Sequence, residues 1–90
     1  MGDKVVTCRA GEWTKLVSNF GTGLPRTFEI SLAGDGLPTG EWLEKRAWWI
    51  FPQADKRGPL SPNLTFHRNW INAIYSISIR PDRDVVATIR

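Results

Sequence analysis

The residues with the most chemical potential in this chain are aromatic, and they concentrate in one segment. Trp48 and Trp49 are adjacent, and Ile50 and Phe51 follow them directly. The chain has five tryptophans in 90 residues, so large rings are available for a core and for a surface. Aromatic rings beside charged groups are typical of binding surfaces, because the rings supply apolar area and the charges supply direction. The segment therefore indicates recognition of a partner or a ligand rather than catalysis.

A β-strand through residues 41–51 would divide its side chains between two sides, because adjacent residues of a strand point in opposite directions. One side carries the residues that we predict to form a binding or interface surface, namely Trp42, Glu44, Arg46, Trp48 and Ile50. The opposite side carries Leu43, Ala47, Trp49 and Phe51. A two-layer domain gives each strand a single core side, so one of the two sides faces outward or is covered by the chain's own loops. Parity alone leaves open which of them that is.

A helix is the alternative structure for residues 41–51. Glu41 and Lys45 have the spacing of a helical ion pair. One helical face would hold the apolar residues Leu43, Ala47, Ile50 and Phe51. The bulky aromatic and β-branched residues at the end of the segment favour the strand. We predict the strand and keep the helix as the alternative.

The sequence lacks the sets of histidine, cysteine and acidic residues that catalytic sites usually need. His67 is the only histidine and lies in a polar stretch, where a lone histidine is far more often a solvated residue than the base of a nucleophilic triad. Cys8 is the only cysteine, so histidine and cysteine together cannot supply the three or four ligands of a zinc site. Glu41 and Glu44 have the residue type of an acid–base pair, but a chain of this size offers little room for the cleft that such a pair needs. We therefore predict that the protein is not an enzyme and uses no cofactor or metal.

The remaining reactive groups have structural explanations. Asp82 and Asp84 follow a proline, so we predict turn residues rather than ligands of a hard cation. A lone cysteine cannot form an intrachain disulfide, and we predict that Cys8 is a small buried hydrophobic residue. His67 lies in a polar stretch and is expected on the surface.

Composition and charge describe an ordinary small globular chain. Hydrophobic residues make up 41% and charged residues 23% of the sequence, which predicts one folded domain over residues 1–90. The formal net charge is +3, but the bases are dispersed, and Lys45-Arg46 and Lys56-Arg57 are the only adjacent basic pairs. Without a basic block, nucleic acid is the least favoured partner.

The apolar runs of the sequence are short. None approaches the roughly 20 residues that a membrane span needs, and no apolar run near the first residue marks a secretory signal. We therefore expect a soluble chain with no membrane span and no signal peptide. The sequence does not indicate a compartment.

The elements that position these residues are predicted to be short strands. Glycine and proline recur at close intervals and favour tight connections, one of them a hairpin turn at Gly34-Asp35-Gly36. Apolar and polar residues alternate with period two in the segments between, which is typical of strands buried on one side. Many short strands of this kind predict an all-β fold, a small antiparallel β-sandwich or barrel of six or seven strands.

The alternation also predicts which side chains enter the core. The clearest apolar sides lie in residues 26–32, 71–80 and 85–90, and they consist of Phe28, Ile30, Leu32, Ile71, Ala73, Tyr75, Ile77, Ile79, Val85, Ala87 and Ile89. Residues 5–9, 13–20 and 64–68 are weaker candidates. The stretch from Leu64 to Pro81 is too long for one straight strand, so we expect a bend or bulge near Asn69-Trp70.

Three functions from different classes fit these features. The favoured one is a non-enzymatic assembly or protein-interaction module, a subunit of a homo-oligomer or larger particle that associates through the aromatic strand face. The alternative is a small carbohydrate-binding module in which Trp42 and Trp48 stack on sugar rings, with Glu44 and Arg46 as polar partners. The third is single-stranded nucleic-acid binding, in which aromatic rings stack on bases over a basic groove.

Overall fold

Strands account for most of the fold, and the longer ones include the segments in which apolar and polar residues alternate. The computed structural model describes residues 3–20, 25–34, 36–48, 50–68 and 74–90, and 71% of that part of the chain is strand. In chain order the strands are β1 (Lys4–Cys8), β2 (Thr14–Phe20), β3 (Arg26–Gly34), β4 (Gly40–Trp48), β5 (Phe51–Pro52), β6 (Lys56–Pro59), β7 (Asn63–Arg68), β8 (Ile74–Pro81) and β9 (Val85–Ile89). The all-β class and the antiparallel pairing predicted from the alternation are confirmed.

The strands make two antiparallel sheets, and the chain alternates between them. The first sheet has the order β1-β9-β3-β7, and the second has the order β2-β8-β4, with β5 and β6 both paired to β4. The pairs are nested along the sequence, since β1 pairs with β9, β2 with β8, β3 with β7 and β4 with β6. Every connection outside β4–β6 therefore leads from one sheet to the other.

One hydrophobic cluster joins the inward faces of the two sheets. The ring of Phe28 on β3 stacks on that of Tyr75 on β8, with centroids 5.9 Å apart and an angle of 15° between the planes. The other buried members include the predicted residues of β3, β8 and β9 together with Cys8, Leu16, Val17, Leu60 and Phe66. The core sides predicted for these three strands are confirmed over their described residues.

The strand count predicted from the alternation is wrong, because nine strands are present among the described residues rather than six or seven. β5 and β6 have no counterparts of their own among the predicted strands, and Phe51 of β5 is the last residue of the segment 41–51 that we predicted as one strand. Their sequences, Phe-Pro and Lys-Arg-Gly-Pro, have no apolar alternation. Both pair with β4 at the border of the second sheet, where Pro52 and Pro59 are tolerated because edge strands leave some amide groups unpaired.

The connections that follow β3 and β7 both cross from the first sheet to the second. The turn at Gly34-Asp35-Gly36 does not join a hairpin, because β3 lies in the first sheet and β4 in the second. Asp35 itself is outside the described residues. The long stretch from Leu64 to Pro81 is two strands in different sheets, β7 and β8. The bend predicted near Asn69-Trp70 falls outside the described residues.

Candidate functional site

The segment predicted to carry the site is mostly strand β4, and its register decides where each side chain lies. Directly opposite residues of antiparallel strands share a face. Trp42, Glu44 and Arg46 lie opposite the buried residues Ile79, Ile77 and Tyr75 of β8. Three of the five predicted site residues therefore belong to the inward side of β4. The expectation that this side faces outward does not hold for them, and their predicted role in binding stays a prediction.

Glu44 shows why the inward side accepts charge. Its side chain is almost completely buried, and the Tyr75 hydroxyl donates a hydrogen bond to its Oε2 atom at 2.5 Å. Arg46 Nε lies 3.9 Å from the other carboxylate oxygen, and Arg46 Nη2 donates to the carbonyl of Ala54. Burial, reinforced by the hydrogen bond to Glu44, raises the pKa of Tyr75, so this phenol stays protonated and remains a donor. A buried carboxylate is tolerated where such partners replace water.

Trp42 is half-buried and fixed by two neighbours. Its ring meets that of Phe66 on β7 edge-on, with centroids 5.0 Å apart and planes at 80°. Gly58 lies opposite Trp42 on β6, and a Cβ atom at Gly58 would come within 2.6 Å of the indole ring. The indole therefore packs against glycine backbone, which leaves it less free to act as a stacking platform.

A cleft opens beside these three residues, between strands of the two sheets. It has a volume of about 310 Å³ and is lined by Trp42, Glu44, Arg46, Lys56, Thr65, Phe66 and His67. His67 is exposed as predicted, and its Nδ1 atom shares a hydrogen bond of 2.9 Å with the Thr27 hydroxyl. Among the described residues, Arg46 Nε is buried and has no hydrogen-bond acceptor. The cleft thus combines an aromatic wall with both signs of charge.

The other two predicted residues lie at the end of the β4–β5 hairpin. Trp48 has the same parity as Arg46, yet it is 47% exposed, and its ring stacks on Phe51 at 5.9 Å. Ile50 is 84% and Phe51 59% exposed. Ile74, also partly exposed, lies opposite Ala47 on the neighbouring strand. We call Trp48, Ile50, Phe51 and Ile74 the apolar tip. Trp49, which we predicted to lie on the opposite side from Trp48, is outside the described residues.

The outward side of the second sheet carries a group of residues that sequence analysis did not find. A concave region of about 410 Å³ is lined there by Trp13, Lys15, Glu41, Leu43, Lys45, Arg57, Ser76, Ser78 and Arg80. We call its four cations, Lys15, Lys45, Arg57 and Arg80, the basic face. They come from four strands and are far apart in sequence. Lys45 lies opposite Ser76 where β4 pairs with β8. Lys15 and Arg57 reach the same surface because β2 pairs with β8 and β6 pairs with β4.

The cysteine and the two aspartates considered in the sequence analysis, Cys8, Asp82 and Asp84, make other contacts in the structure. Cys8 is a free, fully buried cysteine, as predicted, and burial raises the pKa of its thiol despite a hydrogen bond with Thr14. Asp82 and Asp84 lie in the short connection between β8 and β9, as predicted for turn residues. Asp84 accepts a hydrogen bond from the Ala10 amide, and the backbone amide of Asp82 donates to the carbonyl of Thr39. Among the described residues, no three or more histidine, cysteine or acidic side chains are grouped as a metal site would require.

Comparison with known proteins finds no matching family model, curated protein or solved structure. In the part of the chain that the structure describes, no helix has the length and apolarity to cross a membrane.

Proposed function

We propose that this protein is a non-enzymatic assembly module whose copies associate with each other through the apolar tip. The observation that carries the proposal is the contiguous exposure of Trp48, Ile50 and Phe51 at one end of the second sheet. Single exposed hydrophobic residues are normal on proteins, but a contiguous group that includes two large aromatic rings is typical of an association surface. Tryptophan is also the residue type most enriched among those that dominate binding energy.

The strand arrangement supports a subunit role by analogy of fold. We interpret the two sheets as a sandwich and the nested pairing of eight strands as a double-sheet jelly roll, an architecture found in viral capsid and lectin domains. Fold alone does not determine function, so this analogy is secondary to the apolar tip.

A second surface that includes an uncharged area is consistent with contacts in more than one direction. Two rows on the outward side of the first sheet carry no charged side chain, namely Val5, Thr88 and Ser31 and then Thr7, Val86 and Ala33, whereas the next row pairs Glu29 with Arg90. A subunit that has two separate contact surfaces can build a ring or a larger particle, whereas one self-complementary surface gives a dimer. The second copy of this chain is therefore the occupant that we assign to the apolar tip.

The test is the molar mass in solution over a range of protein concentrations, measured by light scattering for the wild type, Trp48→Ala and Trp13→Ala. Trp13 is the matched control because it is 41% exposed but lies on the other side of the sheet. We expect Trp48→Ala to weaken association by about 30-fold or more, the effect of losing about 2 kcal/mol at an interface hot spot. Trp13→Ala should associate like the wild type, and both variants should keep a β-type circular dichroism spectrum.

A wild-type monomer at every concentration, or equal effects of the two substitutions, would overturn the assembly proposal. A monomer that binds a saccharide on a glycan array would instead favour the second candidate function, a carbohydrate-binding module. The observation that favours this candidate is the cleft beside Trp42, where the buried Arg46 Nε has no acceptor among the described residues. Saccharide binding in that cleft should be lost in Glu44→Gln.

A further inference from the structure

We infer that the basic face binds single-stranded nucleic acid, with its cations on the phosphates and Trp13 against a base. The inference does not depend on association through the apolar tip, which lies at the end of the sheet rather than on this surface. Nucleic acid was the least favoured partner from the sequence because no basic block is present. Pairing of four strands produces a concentration of charge that the linear sequence does not show.

The register builds the basic face row by row. One row crosses four adjacent strands, from β2 through β8 and β4 to β6. Its residues, in that order, are Lys15, Ser78, Leu43 and Arg57. Adjacent strands are about 4.8 Å apart, so the cations at the two ends of this row are separated by about 14 Å across the sheet. A single phosphate cannot contact both of them, whereas a chain of phosphates can.

The neighbouring rows add the other cations. Lys45 lies opposite Ser76, and Arg80 lies opposite Glu41 on the far side of the first row. Successive rows on the same side of a strand are about 7 Å apart, so the four cations outline a surface rather than a point. A linear polyanion lying across the sheet fits this distribution.

The charge of this surface is not neutralised within the described part of the chain. Its lining has four bases and one acid, so it carries a net charge of +3, which equals the formal net charge of the entire chain. Glu41 is paired with Arg80 at 2.8 Å. Among the described residues, Lys15, Lys45 and Arg57 form no ion pair. Three like charges on one concave surface repel each other, and a bound polyanion would relieve that repulsion.

The position of Trp13 favours a nucleic acid over a polyanion that has no bases. Its ring is partly exposed at the rim of the concave surface, and the Arg80 guanidinium lies 5.2 Å from the ring centroid. An aromatic ring beside a basic groove is the arrangement with which proteins bind single strands, because bases that are not in a duplex can stack on it. Leu43, which is almost fully buried at the centre of the surface, provides an apolar floor between the cations.

The experiment measures the anisotropy of a labelled oligothymidylate as protein is added, repeated over a series of salt concentrations. Each phosphate neutralised on a single strand contributes about −0.7 to the slope of log K against log salt, so contacts by three or four cations predict a slope of about −2 to −3. We expect Arg57→Gln to make the slope shallower by about 0.7. Lys56→Gln is the matched control, because Lys56 precedes Arg57 on β6 but lies on the opposite side of the sheet.

The contribution of the base is tested separately with Trp13→Leu and with inorganic polyphosphate as a competitor. Loss of one stacked base should weaken oligothymidylate binding by about five-fold or more, with the salt slope nearly unchanged. Polyphosphate should compete only weakly. The inference is overturned if oligothymidylate does not bind, or if Lys56→Gln and Arg57→Gln reduce the slope equally. It is also overturned if polyphosphate binds as tightly as the oligonucleotide and Trp13→Leu has no effect, since the surface would then recognise polyanions without bases.

Discussion

At the scale of single residues, the most informative side chain is Glu44. A residue of this type is rarely buried unless it is paired. The structure buries it opposite Ile77, where the Tyr75 hydroxyl and the Arg46 guanidinium take the place of water. The local sequence does not indicate that Glu44 and Tyr75 form a pair, because the two residues are 31 positions apart. A buried carboxylate becomes predictable only once its partner's strand and register are known.

The Tyr75–Glu44 hydrogen bond predicts how stability depends on pH. The pKa of Tyr75 is raised in the folded chain by burial, and further by Glu44, above the value of about 10 that holds when the chain is unfolded. The unfolded chain therefore loses this proton first as the pH rises past 10. Above that point the free energy of unfolding should fall by about 1.4 kcal/mol per pH unit, and below it this contribution should be constant.

Denaturant titrations of the wild type and Tyr75→Phe at several alkaline pH values measure this effect. Tyr75→Phe should lack the Tyr75-dependent part of the decline, whereas the titration of lysines is common to both proteins. Because Tyr75 is the only tyrosine, tyrosinate absorbance should appear in the wild type only as the protein unfolds. Tyrosinate formation in the folded protein near pH 10 would contradict the prediction.

At the scale of elements, a strand's buried side can be predicted from the sequence when one side is apolar and the other is polar. Strands β3, β8 and β9 alternate apolar and polar residues, and their core sides were predicted correctly over the described residues. β4 has a tryptophan, a glutamate and an arginine on its inward side and Leu43 on its outward side, so its polarity pattern favours the wrong face. β5 and β6 are strands because β4 provides pairing partners, and composition does not signal that. The basic face was missed for the same reason, since it exists only after four strands have paired.

The contact between β4 and β6 predicts a coupling between Trp42 and Gly58. A Cβ atom at Gly58 would approach three atoms of the indole ring to within 2.6–2.8 Å, so Gly58→Ala must displace Trp42 from Phe66. We expect Gly58→Ala to lower the free energy of unfolding by about 1–3 kcal/mol, the usual cost of overpacking.

A double-mutant cycle with Trp42→Leu isolates this contact. In the Trp42→Leu background the added methyl group has room, so Gly58→Ala should cost much less there than in the wild type. Denaturant unfolding of the four proteins measures the coupling. Additive effects of the two substitutions would show that the glycine is required for the backbone of β6 and not for the indole.

At the scale of the whole molecule, the two outer faces differ in character. Two rows on the outward side of the first sheet are uncharged and the next row pairs Glu29 with Arg90, whereas the concave region of the second sheet has a net charge of +3. The apolar tip lies at the end of the second sheet. One small β fold thus presents a weakly charged surface, a basic surface and an aromatic end, which suits the proposed subunit that contacts its own copies and a polyanion with different sides.

Nested pairing also makes the last strand central and the first strand peripheral. β9 lies between β1 and β3 and contributes the buried residues Val85, Ala87 and Ile89, whereas β1 is an edge strand whose only fully buried side chain is Cys8. Burial of Val85 and Ile89 together stabilises the fold by about 3–6 kcal/mol, a large share of the roughly 5–15 kcal/mol of stability that a domain possesses.

Removal of residues 85–90 should therefore abolish cooperative thermal unfolding, and β1 would also lose the one strand with which it pairs among the described residues. Removal of residues 1–8 should leave a folded chain with a lower Tm, because β9 keeps its pairing with β3. Near-ultraviolet circular dichroism during heating distinguishes the two truncations. Equal loss of the cooperative transition in both would mean that the fold depends on β1 as much as on β9, which the strand order does not predict.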